Sequence, residues 1–279
     1  MIPVGQNIGL KIIEFTSHGA ELSDGDERVL LPKKFVLPTM QTGETLTVFI
    51  YTDSEDLKVA TTQQPLAQVG DFACLSVVDT SEHGAFLDWG LDKDLFVPHS
   101  LQPKPLKIGE KTVVAVYLDQ RTGRVAASSR LAEFLNYDLS QLREGQEVDL
   151  VVYAFHPRGA LVLVDDDYGG IVYHSETFQR ISIGQTMKGY IQQIRGDNKL
   201  DIRLQRSGAR GAQDSQAILL RHLEDEDGFL PLTDKSPPEA IYELLKMSKK
   251  SFKAAVGGLY KSQKINLEHD GIRLKKSKT

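Results

Sequence analysis

The chain repeats itself three times, and that repetition narrows the possible folds more than anything else in it. Val4-Gly5-Gln6, Val69-Gly70-Asp71 and Glu144-Gly145-Gln146 open three similar stretches. A Gly-Ala pair follows 14 residues after each first glycine: Gly19-Ala20, Gly84-Ala85 and Gly159-Ala160. Three related strings come next, Leu30–Lys34 (LLPKK), Phe96–Ser100 (FVPHS) and Ile171–Ser175 (IVYHS). A second glycine then opens a new apolar stretch at Gly43, Gly109 and Gly184, which lie 24, 25 and 25 residues beyond the glycine of the Gly-Ala pair.

Inside each unit the pattern is one of short strands. Lys111–Leu118 (KTVVAVYL) is rich in β-branched residues and has turn residues on both sides. Asp119–Arg124 (DQRTGR) reads as a turn into a second strand, Val125–Ser128. Thr45–Tyr51 with Lys58–Thr61, and Met187–Ile194 with Leu200–Leu204, are its counterparts. The glycine before each alanine fits a bend or bulge where a Cβ would clash. Five short strands in each unit suit a small closed barrel, because closure removes exposed edges.

Gly70–Ser129 resembles an S1 RNA-binding domain, a five-stranded OB-type barrel, through HGAFLDWG (His83–Gly90), DLFVPHS (Asp94–Ser100) and IGEKTVVAVYLDQRTGRVAASSR (Ile108–Arg130). Gly145–Gln205 is similar nearly as well, and Met1–Thr62 less so, since Glu21 stands where S1 domains usually carry an aromatic. Three such units followed by a small helical domain resemble the conserved virulence factor B family. The expected fold is mainly β: three tandem five-stranded OB-type (S1-like) barrels over 1–64 (degenerate), 65–135 and 140–206, then a small α+β winged-helix domain over 213–279.

The last segment has a different periodicity. Ser207–Gln213 has the composition of a linker, and Gln216–Leu223 reads as a short helix. Phe229–Leu232 could be a brief strand. Asp234 and Ser236 before Pro237-Pro238 mark a helix start, with Ile241, Leu244, Leu245 and Met247 on its apolar face. Ser248 is placed to cap a further helix through Tyr260, with Phe252, Val256 and Leu259 inward. Asp270-Gly271 between alternating stretches signals a hairpin over Ile265–Leu274. Helices followed by a hairpin describe a winged helix-turn-helix.

Charge separates along the chain. The whole carries a net −5, yet residues 246–279 hold ten basic side chains against Glu268 and Asp270. Within that stretch Lys249, Lys250, Lys253, Lys261, Lys264, Arg273 and Lys275 cover the candidate recognition helix and wing, where phosphate contact is expected. A solvated helix face and tail would have the same composition.

OB-type barrels bind single strands by stacking bases on exposed rings and holding phosphates with basic groups. The S1 resemblance implies stacking positions at His83, Phe86 and Pro98 in the second unit and at Arg158, Leu161 and Tyr173 in the third. In the first unit they are His18, Glu21 and Pro32. His99 stands beside the lost third position of the second unit, and Asp119 and Arg124 resemble that family's acid and base. Phe86 is either a core ring or an outward one, and the S1 placement puts it outside. His99 and His174 either join the site or simply hydrogen-bond a loop. Glu21 would repel phosphate, while Lys33 and Lys34 could still supply charge. Units two and three are therefore the expected binders.

Other readings are set aside on physical grounds. Asp165–Glu176 imitates an EF-hand loop, but strands rather than helices are expected on either side, so it reads as a solvated hairpin loop. Cys74, the single cysteine, excludes an internal disulfide and a multi-cysteine zinc site; its apolar strand suggests a buried small hydrophobe. Trp89 is expected to pack or to sit at a barrel rim. No P-loop, GxGxxG, GxSxG or HExxH occurs, so the expectation is a non-catalytic protein without cofactor or metal. No apolar run reaches the ~18 residues of a membrane span and the N-terminus lacks signal-peptide character, which makes the cytoplasm the default location. The expected function is regulation of gene expression by binding single-stranded RNA. The alternatives are a scaffold for a ribosomal or RNA-processing protein, or binding of duplex nucleic acid through the winged helix.

Overall fold

The computed structural model describes residues 1–53, 55–176, 181–205 and 208–275. It divides into two compact units, Met1–Leu135 and Asn136–Thr279.

The first unit holds two barrels. β1 (Asn7–Thr16), β2 (Gly19–Ser23), β3 (Arg28–Pro32), β4 (Thr45–Thr52) and β5 (Lys58–Thr61) close in the order β1-β2-β3-β5-β4. The pairing of β3 with β5 is parallel and the rest is antiparallel. β6 (Phe72–Thr80), β7 (Gly84–Asp88), β8 (Leu95–Pro98), β9 (Lys111–Leu118) and β10 (Val125–Ser128) repeat the course. Here the sheet order is β10-β9-β6-β7-β8, and β8 and β10 lie side by side without a ladder between them. In the second unit β11 (Glu147–His156), β12 (Gly159–Val164), β13 (Tyr168–Tyr173), β14 (Thr186–Ile194) and β15 (Leu200–Arg203) close a third barrel, again with one parallel pair, β13 and β15.

The repeated glycines have backbone reasons. A Cβ on Gly19, Gly84 or Gly159 would sit 2.0, 2.2 or 2.1 Å from the carbonyl oxygen of Leu31, Val97 or Val172 on the neighbouring strand. Only hydrogen fits there. The later glycine clips a bulge. β1, β6 and β11 each slip register at one place, between Ile12 and Glu14, Val77 and Asp79, and Val152 and Ala154. The N–H groups of Gly43, Gly109 and Gly184 donate to the carbonyls of Ile12, Val77 and Val152 at 2.8, 2.9 and 2.8 Å. The bulge bends the first strand of each barrel enough to pair with both neighbours.

Period-two alternation fills the cores. Leu75 and Val77 of β6 point inward, as do Val148, Leu150 and Val152 of β11. The same alternation corrects one expectation: Cys74 is exposed, because it precedes inward Leu75 and faces away from the barrel. Trp89 is buried and packs edge-on against Phe49 of β4 at 5.5 Å. Phe49 thus belongs to the core of the second barrel although it comes from the first. Gln6 Nε2 donates to the Val69 carbonyl at 2.6 Å, and Gln68 Oε1 accepts from Asn7 N–H at 2.7 Å, which fastens the two barrels together.

The aspartates Asp165–Asp167 form the β12–β13 hairpin loop, flanked by strands. The Asp165 carboxylate accepts from the Asp149 N–H at 2.7 Å. No group of three or more His, Cys, Asp or Glu that could hold a metal ion occurs among the described residues.

The chain ends in α1 (Gly208–Asp225), β16 (Phe229–Leu230), α2 (Pro238–Leu245), α3 (Lys249–Lys261), β17 (Ile265–Leu267) and β18 (Ile272–Leu274). The last three strands form a sheet in the order β16-β18-β17. α1 begins at Gly208 and so takes in most of the stretch with linker composition. Elongating a helix is cheap once a turn exists, and Leu219 and Leu223 anchor this one in the core with Phe252 and Leu259. α2 starts without a side-chain cap: Pro237 is its N-cap and Pro238 its first residue, a position where a missing N–H costs nothing. Ser248 caps α3 by accepting from the Ser251 N–H at 3.0 Å. No helix among the described residues is long and apolar enough to cross a membrane.

Candidate nucleic-acid interface

A cavity of about 680 Å³ lies on the second barrel. Its lining follows from strand parity. Ala85 and Leu87 of β7 point into the core, at 1% and 0% exposure, so Phe86 between them turns outward. Phe96 lies between inward Leu95 and Val97 of β8 and does the same. The two rings face each other across the ladder, with centroids 5.2 Å apart and planes tilted by 44°. Both are half-buried, which leaves part of each ring open to the cavity.

Polar groups surround this pair. His83 and Pro98 also line the cavity, with Lys93, Arg121 and Arg124 as the cations and Asp92, Asp94 and Asp119 as the acids. Burial, and then the nearby Arg124 charge, lowers the pKa of the Lys93 ammonium. Burial and the Asp88 and Asp79 carboxylates raise that of Asp94. Asp119 accepts from the Arg121 N–H and from the Thr122 hydroxyl, both at 2.9 Å, and these bonds hold its carboxyl below the usual range. Arg124 reaches instead to Asp56 of the first barrel at 2.6 Å. Asp119 and Arg124 therefore share the cavity wall with different side-chain partners.

His83 is exposed, with Nε2 3.5 Å from Glu82. Its carbonyl accepts from the His99 N–H at 3.1 Å, while His99 Nε2 meets the Ser81 carbonyl at 3.1 Å. His99 thus ties down the loop that carries His83. Phe96, Lys93, Arg121 and Tyr51 also line the cavity but were not singled out by sequence. Phe96 is two residues before Pro98 and shares its face, so parity alone was enough to find it. Tyr51 comes from β4 of the other barrel, and no local pattern points to it.

The other barrels differ. In the third, the positions of Phe86 and Phe96 are taken by Leu161 and Ile171, an aliphatic pair. Tyr173 is half-buried and donates its hydroxyl to Asp201 at 3.0 Å. Arg158 is exposed at the β11–β12 turn, where its carbonyl accepts from the N–H of exposed His174 at 3.2 Å. In the first barrel Glu21 is paired: Arg28 donates to it at 2.8 Å and to Glu14 at 3.1 Å. Lys33 is exposed, and Lys34 pairs with Asp92 of the second barrel.

On the winged helix the basic residues fall into two groups. Lys250, Lys253, Lys261 and Lys264 are exposed along and just after α3. Lys249 donates to the Ser236 carbonyl at 2.8 Å, Arg273 pairs with Glu268 at 2.6 Å and lies over the Phe229 ring, and Lys275 reaches Gln263. These three help hold α2 and the wing in place.

The S1 domain model matches residues 4–63 and 69–129, and the CvfB-like winged helix domain model matches residues 217–274. The chain belongs to the conserved virulence factor B family. Conserved virulence factor B of Staphylococcus aureus (strain N315) is 27% identical over 284 residues, covering 98% of this chain and 87% of that one. The YitL protein of Bacillus subtilis (strain 168) is 28% identical over 274 residues, covering 95% and 91%. A Streptococcus pneumoniae TIGR4 crystal structure, described as a multidomain protein with nucleic acid binding domains, is 25% identical with a TM-score of 0.46 and covers 98% of each chain. The first barrel, with Glu21 in place of a ring, is within the S1 match. S1 and winged-helix domains are nucleic-acid-binding modules, so nucleic acid binding is the property the family brings to this chain.

Proposed function

We propose that this protein binds single-stranded RNA and regulates gene expression by occupying transcripts in the cytoplasm, without catalysis. One observation carries the reading: the outward ring pair Phe86 and Phe96 shares a cavity with Lys93, Arg121 and Arg124. A flat base stacks on a ring of this kind for ~1–3 kcal/mol, whatever its sequence, while the cations take phosphates. One such module binds weakly. A second contact through Tyr173 and Arg158, and a third through the exposed lysines of α3, would raise the effective concentration of the strand at each. His83, Asp119 and Arg124 complete the second barrel's surface, with His99 bracing it.

A second reading is binding of duplex nucleic acid by the winged helix, favoured by exposed Lys250, Lys253, Lys261 and Lys264. Gel shifts over a salt series, with single-stranded RNA and duplex DNA side by side, separate the two. Single-stranded RNA is expected to bind more tightly. Phe86→Ala is expected to weaken it by about 5- to 150-fold, the equivalent of one stacked base. Tyr173→Ala is expected to weaken it further. RNA binding unchanged in both variants overturns the site, and preference for the duplex moves the function to the winged helix.

A further inference from the structure

The cavity on the second barrel is not built by that barrel alone. Tyr51 and Thr52 of β4 form part of its wall. Thr52 is fixed at both ends: its hydroxyl donates to the Gly123 carbonyl at 3.1 Å, and its carbonyl accepts from Lys93 Nζ at 2.9 Å. Asp53 accepts from the N–H groups of Glu55 and Leu57, both at 2.9 Å, and Asp56 takes a left-handed conformation with φ +64°. This geometry brings the Asp56 carboxylate to the Arg124 guanidinium. Arg124 is one of two cations on the β9–β10 turn, the other being Arg121, and both line the cavity with Asp119. Arg124 is therefore occupied by an anion from the first barrel.

We propose that Asp56 stands in for an RNA phosphate at Arg124, so that the first barrel completes and guards the second barrel's site instead of binding a strand of its own. The proposal rests on the RNA-binding reading above. The side chains of Asp56 and Arg124 are 66% and 42% exposed, so their pair is a weak one that solvent screens. A phosphodiester can take the guanidinium's donors in the same way and more strongly. The first barrel's own face agrees with such a division of labour, because Arg28 ties up Glu21 and Glu14 where a base would have to stack.

The test is fluorescence anisotropy with a labelled, mixed-sequence single-stranded RNA and the full chain. Asp56→Asn removes the charge and keeps a residue that tolerates the left-handed conformation. It is expected to tighten binding about two- to fivefold, the reverse of losing an exposed ion pair. Arg124→Ala is expected to weaken binding, and Asp56→Asn added to it is expected to change nothing more. Unchanged or weaker binding by Asp56→Asn overturns the proposal. So does equal tightening in the Arg124→Ala background, which would mean that a general loss of negative charge is the cause. If the folded wild-type chain binds no RNA at all, the RNA reading fails together with the proposal. If it binds RNA and Asp56→Asn has no effect, only the proposal fails.

Discussion

Gly84→Ala should unfold the second barrel far more easily than its single methyl suggests. The added Cβ would lie 2.2 Å from the Val97 carbonyl oxygen and 2.7 Å from the Phe96 ring, against a floor of 3.0 Å for real Cβ contacts. The shortfall to the oxygen is 3.0 − 2.2 = 0.8 Å. A carbonyl cannot swing aside without loosening the β7–β8 ladder, in which Ala85 pairs with Val97 and Gly84 with Pro98. Overpacking costs about 1–3 kcal/mol, and each weakened ladder bond adds about 1 kcal/mol. The lower entropy of alanine in the unfolded chain returns about 0.4–1 kcal/mol. A net loss of roughly 2–4 kcal/mol follows. Trp89 is the only tryptophan and lies in this core, so its fluorescence follows the relevant transition during urea unfolding. With a slope of about 1–3 kcal/mol per molar, the midpoint should fall by roughly 0.7–4 M. Gly109→Ala is the comparison. It has nothing within 4 Å and only a φ of +82° to strain, which costs about 1–2 kcal/mol. A Gly84→Ala midpoint no lower than that of Gly109→Ala would refute the argument from close approach.

Two further outcomes follow from the hydrogen bonds. Ser248→Ala removes the cap of α3 and should destabilise the winged helix by about 1 kcal/mol, while Ser248→Asp should be near neutral; urea unfolding followed by circular dichroism checks both. Because Asp119 is depressed by its turn, its contribution to stability is present above the ordinary aspartate range and is lost as pH falls through its lower folded value. Thr122→Val removes one donor and should raise the Asp119 titration midpoint seen by carboxyl NMR; an unmoved midpoint would contradict the assigned cause.

The three barrels are readable from the order of residues alone. Their landmarks are local demands of the backbone: a glycine where two strands nearly touch, and another where a turn clips a bulge. Such demands recur at fixed spacing, so three copies expose them. On sequence it is the S1 resemblance that puts Phe86 outside, whereas in the structure the inward Ala85 and Leu87 on either side turn it out; at Cys74 the apolar strand suggests burial, but inward Leu75 beside it leaves it exposed. How the first two barrels use one another emerges from their packing. Phe49 completes a core that is not its own, Lys34 answers Asp92, and Asp56 holds Arg124. Asp56 and Arg124 are 68 residues apart, and no periodicity relates them. Charges and rings on separate strands meet only after the chain has closed, and that closure is set by the packing of whole barrels rather than by any short string of residues.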